Sequence, residues 1–278
     1  MQVADLHTVP EGAYNIRENG AAAGRKTTAN IDIVSKTDKP GIDIIVKPGT
    51  KRESIHIPVI ISESGLKDLV YNDFYIGEDA DVTIIAGCGI HNCGDQDSAH
   101  DGIHSFHVGK GARVRYVERH YGEEEGTGEN IMNPTTIIEI DEGGYLEMET
   151  TQIKGIDSTI RNTNAVLGKD ATLIVKEKIM THGRQHAETV FNVDLNGERS
   201  STNVISRSVA KDVSTQTFLS KINGNAECYG HTECDAIIMD NASVRAIPEI
   251  TANDINASLI HEAAIGKIAG EQIIKLMT

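Results

Sequence analysis

The stretch GKGARVRY at residues 109–116 decides the fold class of this chain. A glycine turn is followed by a small residue and then by apolar side chains at every second position. Side chains of a β-strand alternate between two faces, so Ala112, Val114 and Tyr116 share one face and the two arginines share the other. The stretch therefore predicts a short strand that begins at a tight corner and buries one face.

The same unit of corner, small residue and alternating strand recurs along the chain. It is present as GEDADVTI at 77–84, DEGGYLEM at 141–148, GKDATLIV at 168–175, GNAEC at 224–228 and DNASV at 240–244. Many short strands, with few helical patterns before residue 250, indicate an all-β chain. A sandwich or barrel would need hairpins, but the hairpin dipeptide Asn-Gly occurs only at 19–20, 196–197 and 223–224. Repetition of one unit favours a stacked β-solenoid.

We expect two regions in the chain. Residues 1–252 are predicted to form the solenoid core, with the weakest pattern over 1–70, and residues 253–278 are predicted to form a C-terminal cap. Apolar residues near the end of the chain come close to helical spacing, which predicts a short amphipathic helix from about Glu271. Such a helix would cover the open end of the solenoid, where strand edges otherwise lack partners.

Composition excludes several classes of function. The chain has 278 residues and a formal net charge of −15, with four Phe and no Trp. Nucleic-acid binding needs clustered Lys and Arg or stacking aromatic rings, so we expect no nucleic-acid partner. No run of 18 apolar residues and no signal-peptide pattern is present, which predicts a cytoplasmic chain without a membrane partner. The four cysteines are expected to be thiols.

Soft ligands concentrate in the segment AGCGIHNCG, residues 86–94, and in the histidines that follow it. Thiolate and imidazole are ligands that zinc and iron–sulfur centres use. The spacing of the two cysteines matches no standard zinc finger, and a small cysteine buried after a strand would account for Cys88 equally well. If these residues do bind a metal ion, the chain would be a metal-dependent enzyme. Its ligands would come from Cys88, His91, Cys93, His104 and His107.

A second segment, CYGHTECD at residues 228–235, contains the other two cysteines. In an unbroken strand, Cys228 and Cys234 would both face the core, and His231 and Glu233 would point outward. Carboxylates beside Cys234 would raise the pKa of its thiol, whereas a bound cation would have the opposite effect.

The adjacent pair His261 and Glu262 offers one imidazole and one carboxylate close to the predicted cap. A ligand role is one interpretation of this pair. The other is a glutamate placed near a helix start, where the helix dipole favours negative charge.

Five blocks, taken together, resemble one protein family. They are SRSV at 206–209, CDAII at 234–238, IPEI at 247–250, HEAAIGKI at 261–268 and EQIIKLM at 271–277. Their order and spacing resemble the SufB/SufD core family, the scaffold proteins of the SUF system for iron–sulfur cluster assembly. The blocks AGC at 86–88 and GARVRY at 111–116 are similar to the SufB branch. The resemblance covers about residues 70–278.

The resemblance implies a right-handed parallel β-helix and a non-enzymatic scaffold that carries a transient iron–sulfur cluster. It also implies a scaffold dimer that works with a SufC-type ATPase, and it leaves open a flavin and a SufD-like partner. Nascent cluster formation is implied for Cys234 and Glu262, with His261 beside them. An upstream cysteine, matched by Cys88, is implied to accept sulfur and pass it through the helix core.

The segment VERH at 117–120 departs from the family pattern, in which the SufB branch usually has a Gln and a Trp after the residue matched by Tyr116. The sulfur route can therefore differ, with Cys93 and His91 as substitutes for the usual acceptor. This compact form resembles the minimal scaffold of archaeal and anaerobic two-component systems, in which one protein would form the dimer alone. We therefore expect a homodimer.

Overall fold

Strands account for all the regular structure in the part of the chain that the computed structural model describes, residues 10–123 and 126–267. The first ten strands are β1 (Ala13–Glu18), β2 (Ala21–Lys26), β3 (Ile31–Ser35), β4 (Gly41–Val46), β5 (Lys51–Ile61), β6 (Lys67–Ile76), β7 (Asp81–His91), β8 (Ser98–Val108), β9 (Arg113–Glu123) and β10 (Asn130–Met132). The second ten are β11 (Thr135–Ile140), β12 (Tyr145–Lys154), β13 (Ser158–Leu167), β14 (Thr172–Thr181), β15 (His186–Leu195), β16 (Ser200–Ala210), β17 (Thr215–Gly224), β18 (Cys228–Ile238), β19 (Ser243–Ala252) and β20 (Ser258–Lys267).

The strands form two sheets that the chain visits alternately. Sheet A has the order β2-β1-β5-β7-β9-β12-β14-β16-β18-β20, and sheet B has the order β19-β17-β15-β13-β10-β8-β6-β4-β3, with β11 between β13 and β8. All pairs are parallel except the antiparallel pairs β1–β2 and β3–β4. From β5 onward each coil places one strand or strand pair in each sheet, so the predicted parallel β-solenoid is confirmed.

The corners of the coil explain the repeated sequence unit. In four of the six units the residue just before the small residue has a left-handed backbone, with φ of 55° at Asp79, 65° at Gly111 and 56° at Asp170 among them. Glycine and aspartate tolerate this conformation better than most residues do. The alanine that follows, such as Ala112, is fully buried inside the corner.

The apolar core lies between the two sheets, as the alternation of side chains predicts. Ala112, Val114 and Tyr116 are at most 1% exposed, while Arg113 and Arg115 are exposed. Burial of such side chains removes apolar area from water at about 25 cal/mol per Å². The period-two pattern therefore sets the inner and outer face of each strand.

The end of the described chain continues the solenoid. Strand β20 pairs in parallel with β18, although the sequence division places residues 258–267 with the cap. The helix predicted from about Glu271 lies outside the described residues, and the division at residues 252 and 253 stays a prediction. The part of the chain that the structure describes contains no helix that could cross a membrane.

Candidate functional site

A column of buried polar side chains interrupts the apolar interior of sheet A. At one register position, polar residues are stacked in successive parallel strands from β9 to β18. Each is at most 4% exposed. Neighbouring strands lie about 4.8 Å apart, so four steps make a column about 20 Å long. Its members, in order, are Glu118, Thr150, Glu177, Ser206 and Cys234.

Arg161 enters this column from β13 in the opposite sheet. Its guanidinium donates to Glu118 at 2.9 Å and lies 3.5 Å from the Glu177 carboxylate. Burial opposes ionisation of Glu118, but the contacts of His120 and Arg161 hold the pKa of that carboxyl well below its ordinary value. Glu118 and Arg161 therefore form a buried ion pair.

Glu177 has the opposite tendency. Burial raises the pKa of its carboxyl, and Arg161 only partly offsets that effect. The hydroxyls of Ser206 and Thr189 donate to Glu177 at 2.7 Å and 3.0 Å. The carboxyl is thus held in place by three groups, while burial keeps its pKa above the ordinary value.

Cys234 lies at the downstream end of the column. Its side chain is 1% exposed and shares with Glu177 and Ser206 a cavity that has room for about one water molecule. Burial, with the charges of Glu177 and Asp235, raises the pKa of the Cys234 thiol to about 11. The predicted core position of Cys228 and Cys234 is confirmed, since both are buried.

Cys88 lies one strand beyond the upstream end of the column, two positions along β7 from Ala86, the register partner of Glu118. It is 2% exposed and stands in register with His120, on the strand next to its own. Burial, together with the carboxylates of Asp68 and Glu118, raises the pKa of the Cys88 thiol well above its ordinary value. His120, the register neighbour of Cys88, lies 3.4 Å from Glu118, so buried polar groups extend from the neighbour of Cys88 to the first member of the column.

Further buried groups hold the upstream end rigid. Asp68 accepts hydrogen bonds from Arg17 at 2.6 Å and contacts His100 at 3.0 Å. His104 lies 2.9 Å from the Tyr116 hydroxyl, which donates to Glu118 at 2.8 Å. Burial lowers the pKa of His104 to about 4, so this imidazole is neutral at neutral pH.

A group of three possible metal ligands lies on the outer face of sheet A. One ligand atom from each of His231, Glu233 and Glu262 falls within 4.8 Å of the others. Asn203 contacts Nδ1 of His231 at 3.0 Å, and Nε2 lies 3.3 Å from Glu262. With Nδ1–H donating to the Asn203 oxygen, Nε2 carries the lone pair that a metal ion needs. Arg207 lies 3.4 Å from Glu233 at the edge of the group.

The predicted cluster residues lie on adjacent strands but on two faces. Cys234 is in register with Ala263 on β20. Glu262 is in register with Glu233 instead, on the outer face, and its side chain is 67% exposed. His261 is in register with the fully buried Thr232, and its Nδ1 is buried without a hydrogen-bond partner. Within one chain, therefore, His261 shares the inner face with Cys234, and Glu262 does not.

The structure does not bring together the five cysteine and histidine residues between 88 and 107 that the sequence suggested as a metal-dependent active site. Cys88 and His104 face the interior, while His107 lies on the outside of sheet B, stacked on Tyr75 and 3.0 Å from Glu139. Alternating faces and two sheets separate residues that are close in sequence. Within residues 10–123 and 126–267, the sole group of three or more possible metal ligands from His, Cys, Asp and Glu side chains that lie close together is His231, Glu233 and Glu262.

His91 and Cys93 do meet, at the surface where β7 ends. The Cys93 sulfur lies 3.0 Å from Nε2 of His91, and Nδ1 of His91 pairs with the carboxylate of Glu123. Glu123 is the register neighbour of His91 on β9. The pair predicted from sequence thus acquires a third member.

Sequence analysis missed the residues that link the two buried cysteines, above all Glu118, Glu177 and Arg161. One signal was available for the first of them. Extending the alternation of Val114 and Tyr116 by two positions places Glu118 on the inner face, where a carboxylate is rare unless paired. The partner Arg161 carries no local signal, because it comes from another coil.

Comparison with known proteins adds an independent finding. Residues 70–278 match the family model described as SUF system FeS cluster assembly, SufBD core domain. An iron-sulfur cluster assembly SufBD family protein of Methanocaldococcus jannaschii is 32% identical over 84% of this chain and 74% of its own length. One from Archaeoglobus fulgidus is 31% identical over 87% of this chain and 64% of its length. The iron-sulfur cluster assembly protein SufB of Bacillus subtilis is 25% identical over 73% of this chain and 43% of its length.

Proposed function

The chain belongs to the SufBD family of the SUF system, which acts in iron–sulfur cluster assembly, and we propose that it is the scaffold on which a cluster is built. The chain spans about two fifths to three quarters of the length of the three relatives described above. The scaffold role, the partners and the assignment of individual residues are therefore parts of the proposal.

The observation that carries the proposal is the buried polar column from Glu118 to Cys234, with Cys88 one strand upstream of it. Polar groups are costly in an apolar interior, so polar residues at one register position in five strands indicate a use. The hydroxyl of Thr150, the second member of the column, is buried without a hydrogen-bond partner. We propose that Cys88, Cys93 and His91 form the sulfur-uptake site near the upstream end and that Cys234 is the cluster ligand at the downstream end, with the polar column between them.

Iron is the second substrate. The outer-face group of His231, Glu233 and Glu262 supplies one imidazole and two carboxylates, which suit ferrous iron. Cys234 and His261 supply a thiol and an imidazole from the inner face of the same sheet. A cluster held by mixed hard and soft ligands is less firmly bound than one held by four thiolates, which fits a scaffold that hands its product on.

We propose that the assembling unit is a homodimer, in the cytoplasm, served by a SufC-type ATPase. Ile260 and Ile265 on β20 are 41% and 40% exposed, and burying them against a second copy would be favourable. A SufD-like partner in place of the second copy would be recognised by its presence in the purified complex.

The test is anaerobic reconstitution of the purified protein with ferrous iron and sulfide. The variant Cys234→Ser should keep the β-rich circular dichroism spectrum and lose the visible absorbance of the cluster. Cys228→Ser is the matched control, because Cys228 is also buried but lies off the column. A normal cluster in Cys234→Ser would refute the scaffold site. Sedimentation with and without a SufC-type ATPase tests the partner.

A further inference from the structure

The inner face of β8 carries two histidines whose ring nitrogens converge on one point. A β-carbon added at Gly102 would lie 3.2 Å from Nε2 of His100 and 3.3 Å from Nε2 of His104. The three residues are two positions apart on one strand and so share the inner face, and the two histidines are 6% and 7% exposed. Glycine at position 102 therefore leaves the space into which both imidazoles point.

The carboxylate of Asp68 fixes the proton of the first imidazole. It lies 3.0 Å from Nδ1 of His100. Burial opposes ionisation of Asp68, but His100 and Arg17 hold the pKa of its carboxyl below the ordinary value. An ionised carboxylate only accepts hydrogen bonds, so Nδ1 of His100 donates to it. With that proton held at Nδ1, the neutral ring has its lone pair on Nε2, which is the arrangement of carboxylate–histidine pairs at metal centres.

A phenol holds the second imidazole in the same tautomer. The Tyr116 hydroxyl donates to Glu118 at 2.8 Å, and its oxygen lies 2.9 Å from Nδ1 of His104. Since the hydroxyl proton is directed to Glu118, Nδ1 of His104 is the donor to the Tyr116 oxygen. The lone pair of His104 is therefore also on Nε2, and both rings present acceptor nitrogens to the space beside Gly102.

A buried amide offers a third ligand. Asn72 is 4% exposed and stands in register with His104, on the neighbouring strand β6. Its Nδ2 lies 3.3 Å from Nε2 of His104, while its Oδ1 is buried without a hydrogen-bond partner among the described residues. An unpaired buried oxygen is costly. A half-turn of the amide would exchange the two atoms and place Oδ1 beside Nε2 of His104, where a shared cation would satisfy both.

We propose that His100, His104 and Asn72 form an interior binding site for a divalent transition-metal ion. Two neutral imidazoles favour ions such as Fe²⁺ and Zn²⁺ over Mg²⁺ and Ca²⁺, and an amide oxygen and water complete their coordination. This site is separate from the outer-face group of sheet A, because it lies on the inner face of sheet B. It differs also from the ligand set suggested by the sequence, with which it shares only His104.

An ion at this site would support the upstream part of the solenoid. Strands β6 and β8 are neighbours in sheet B, and the ion would bond to side chains of both. The Tyr116 hydroxyl contacts His104 on one side and Glu118 on the other, so the site adjoins the first member of the polar column. Because an ion that binds only the folded chain stabilises it, we expect bound metal to raise the temperature of unfolding.

The experiment titrates the chelator-treated protein with Co²⁺ under anaerobic conditions, in a background of His231→Ala and Cys93→Ser that removes ligands of the two other sites. One equivalent should bind and raise the temperature of unfolding. X-ray absorption of the bound ion should detect two imidazole nitrogens at about 2.1 Å. His100→Gln and His104→Gln should each weaken Co²⁺ binding by more than the roughly tenfold that loss of an outer-shell partner costs.

A third variant tests the space between the rings without removing a ligand. Gly102→Ala keeps both histidines but fills the point on which they converge, so Co²⁺ binding should weaken. Gly230→Ala is the matched control, because Gly230 is also a buried glycine within a strand, and it should leave the Co²⁺ affinity unchanged. Circular dichroism establishes that each variant is folded, and Gly102→Ala decides the question if a histidine variant is not.

Two results would overturn the assignment. One is the absence of Co²⁺ binding in the background protein, and the other is equally tight binding in that protein and in the histidine and Gly102→Ala variants. The titration uses neither sulfide nor a cluster. Its failure is therefore distinct from a normal cluster in Cys234→Ser, which would overturn the scaffold site alone.

Discussion

Replacing Arg161 with methionine is expected to lower the free energy of unfolding by about 3–5 kcal/mol. The Arg161 side chain is 4% exposed and contacts Glu118 at 2.9 Å and Glu177 at 3.5 Å. Methionine would fill much of the volume but would leave the Glu118 carboxylate buried without its cation. Urea denaturation at neutral pH, followed by circular dichroism, measures the effect.

The magnitude follows from the contacts that are lost. A hydrogen bond between two charged groups in a buried site contributes about 1.5–3 kcal/mol. Arg161 also lies 3.1 Å from Nδ1 of His120, and this third contact contributes about 1 kcal/mol. The Tyr116 hydroxyl, which donates to Glu118 at 2.8 Å, would still hydrogen-bond the carboxylate in the variant and so limits the destabilisation. The range of about 3–5 kcal/mol for a broken buried pair is consistent with these contributions.

The matched control is Arg207→Met. The side chain of Arg207 is 64% exposed and lies 3.4 Å from Glu233, so its loss should cost at most about 1 kcal/mol. The double variant Arg161→Met with Glu118→Gln should be more stable than Arg161→Met alone, because glutamine removes the unpaired charge. The reasoning fails if Arg161→Met is no more destabilising than Arg207→Met.

Three further outcomes follow from the same geometry. The folded protein holds the pKa of Glu118 below its ordinary value, so ionised Glu118 stabilises the fold at pH values above the ordinary pKa and loses this contribution as pH falls through the folded pKa. Denaturation at several pH values should therefore show that the difference in unfolding free energy between the unmodified protein and Glu118→Gln becomes smaller in acid. A difference that stays constant with pH would contradict this. Asn203→Ala removes the hydrogen-bond partner of His231 Nδ1 and should weaken ferrous iron binding about tenfold in anaerobic titrations. The control variant Glu249→Gln, on β19, should leave the iron affinity unchanged. The pKa of His104 is about 4, so its ring nitrogen NMR shifts should stay constant above about pH 5, and a midpoint at the ordinary histidine value would refute its burial.

The faces of the strands could be predicted from the sequence. Ala80, Val82 and Ile84 alternate with polar residues and are at most 1% exposed, and Cys234 lies on the core side as its position relative to Cys228 indicated. These predictions succeed because side-chain alternation is a property of a single strand and needs no knowledge of its neighbours.

The site could be predicted only in part. The family blocks pointed to Cys234, His261 and Glu262, and those assignments stay predictions. The ion pair at the upstream end of the column joins Arg161 and Glu118, which are 43 positions apart in sequence. No local pattern connects them, since they lie on opposite sheets and meet only after two coils have stacked.

By itself, the sequence determined that this protein is a chain of short strands joined by tight corners, and which side chains of each strand avoid water. Only the tertiary structure decided the register between coils, and with it the polar column, the outer-face group of His231, Glu233 and Glu262, and the contact of His91 with Glu123. The physical reason is that alternation repeats every two residues, whereas register depends on the number of residues in each coil. That number differs from coil to coil, as the 32 positions between Ala86 and Glu118 and the 28 between Ser206 and Cys234 illustrate.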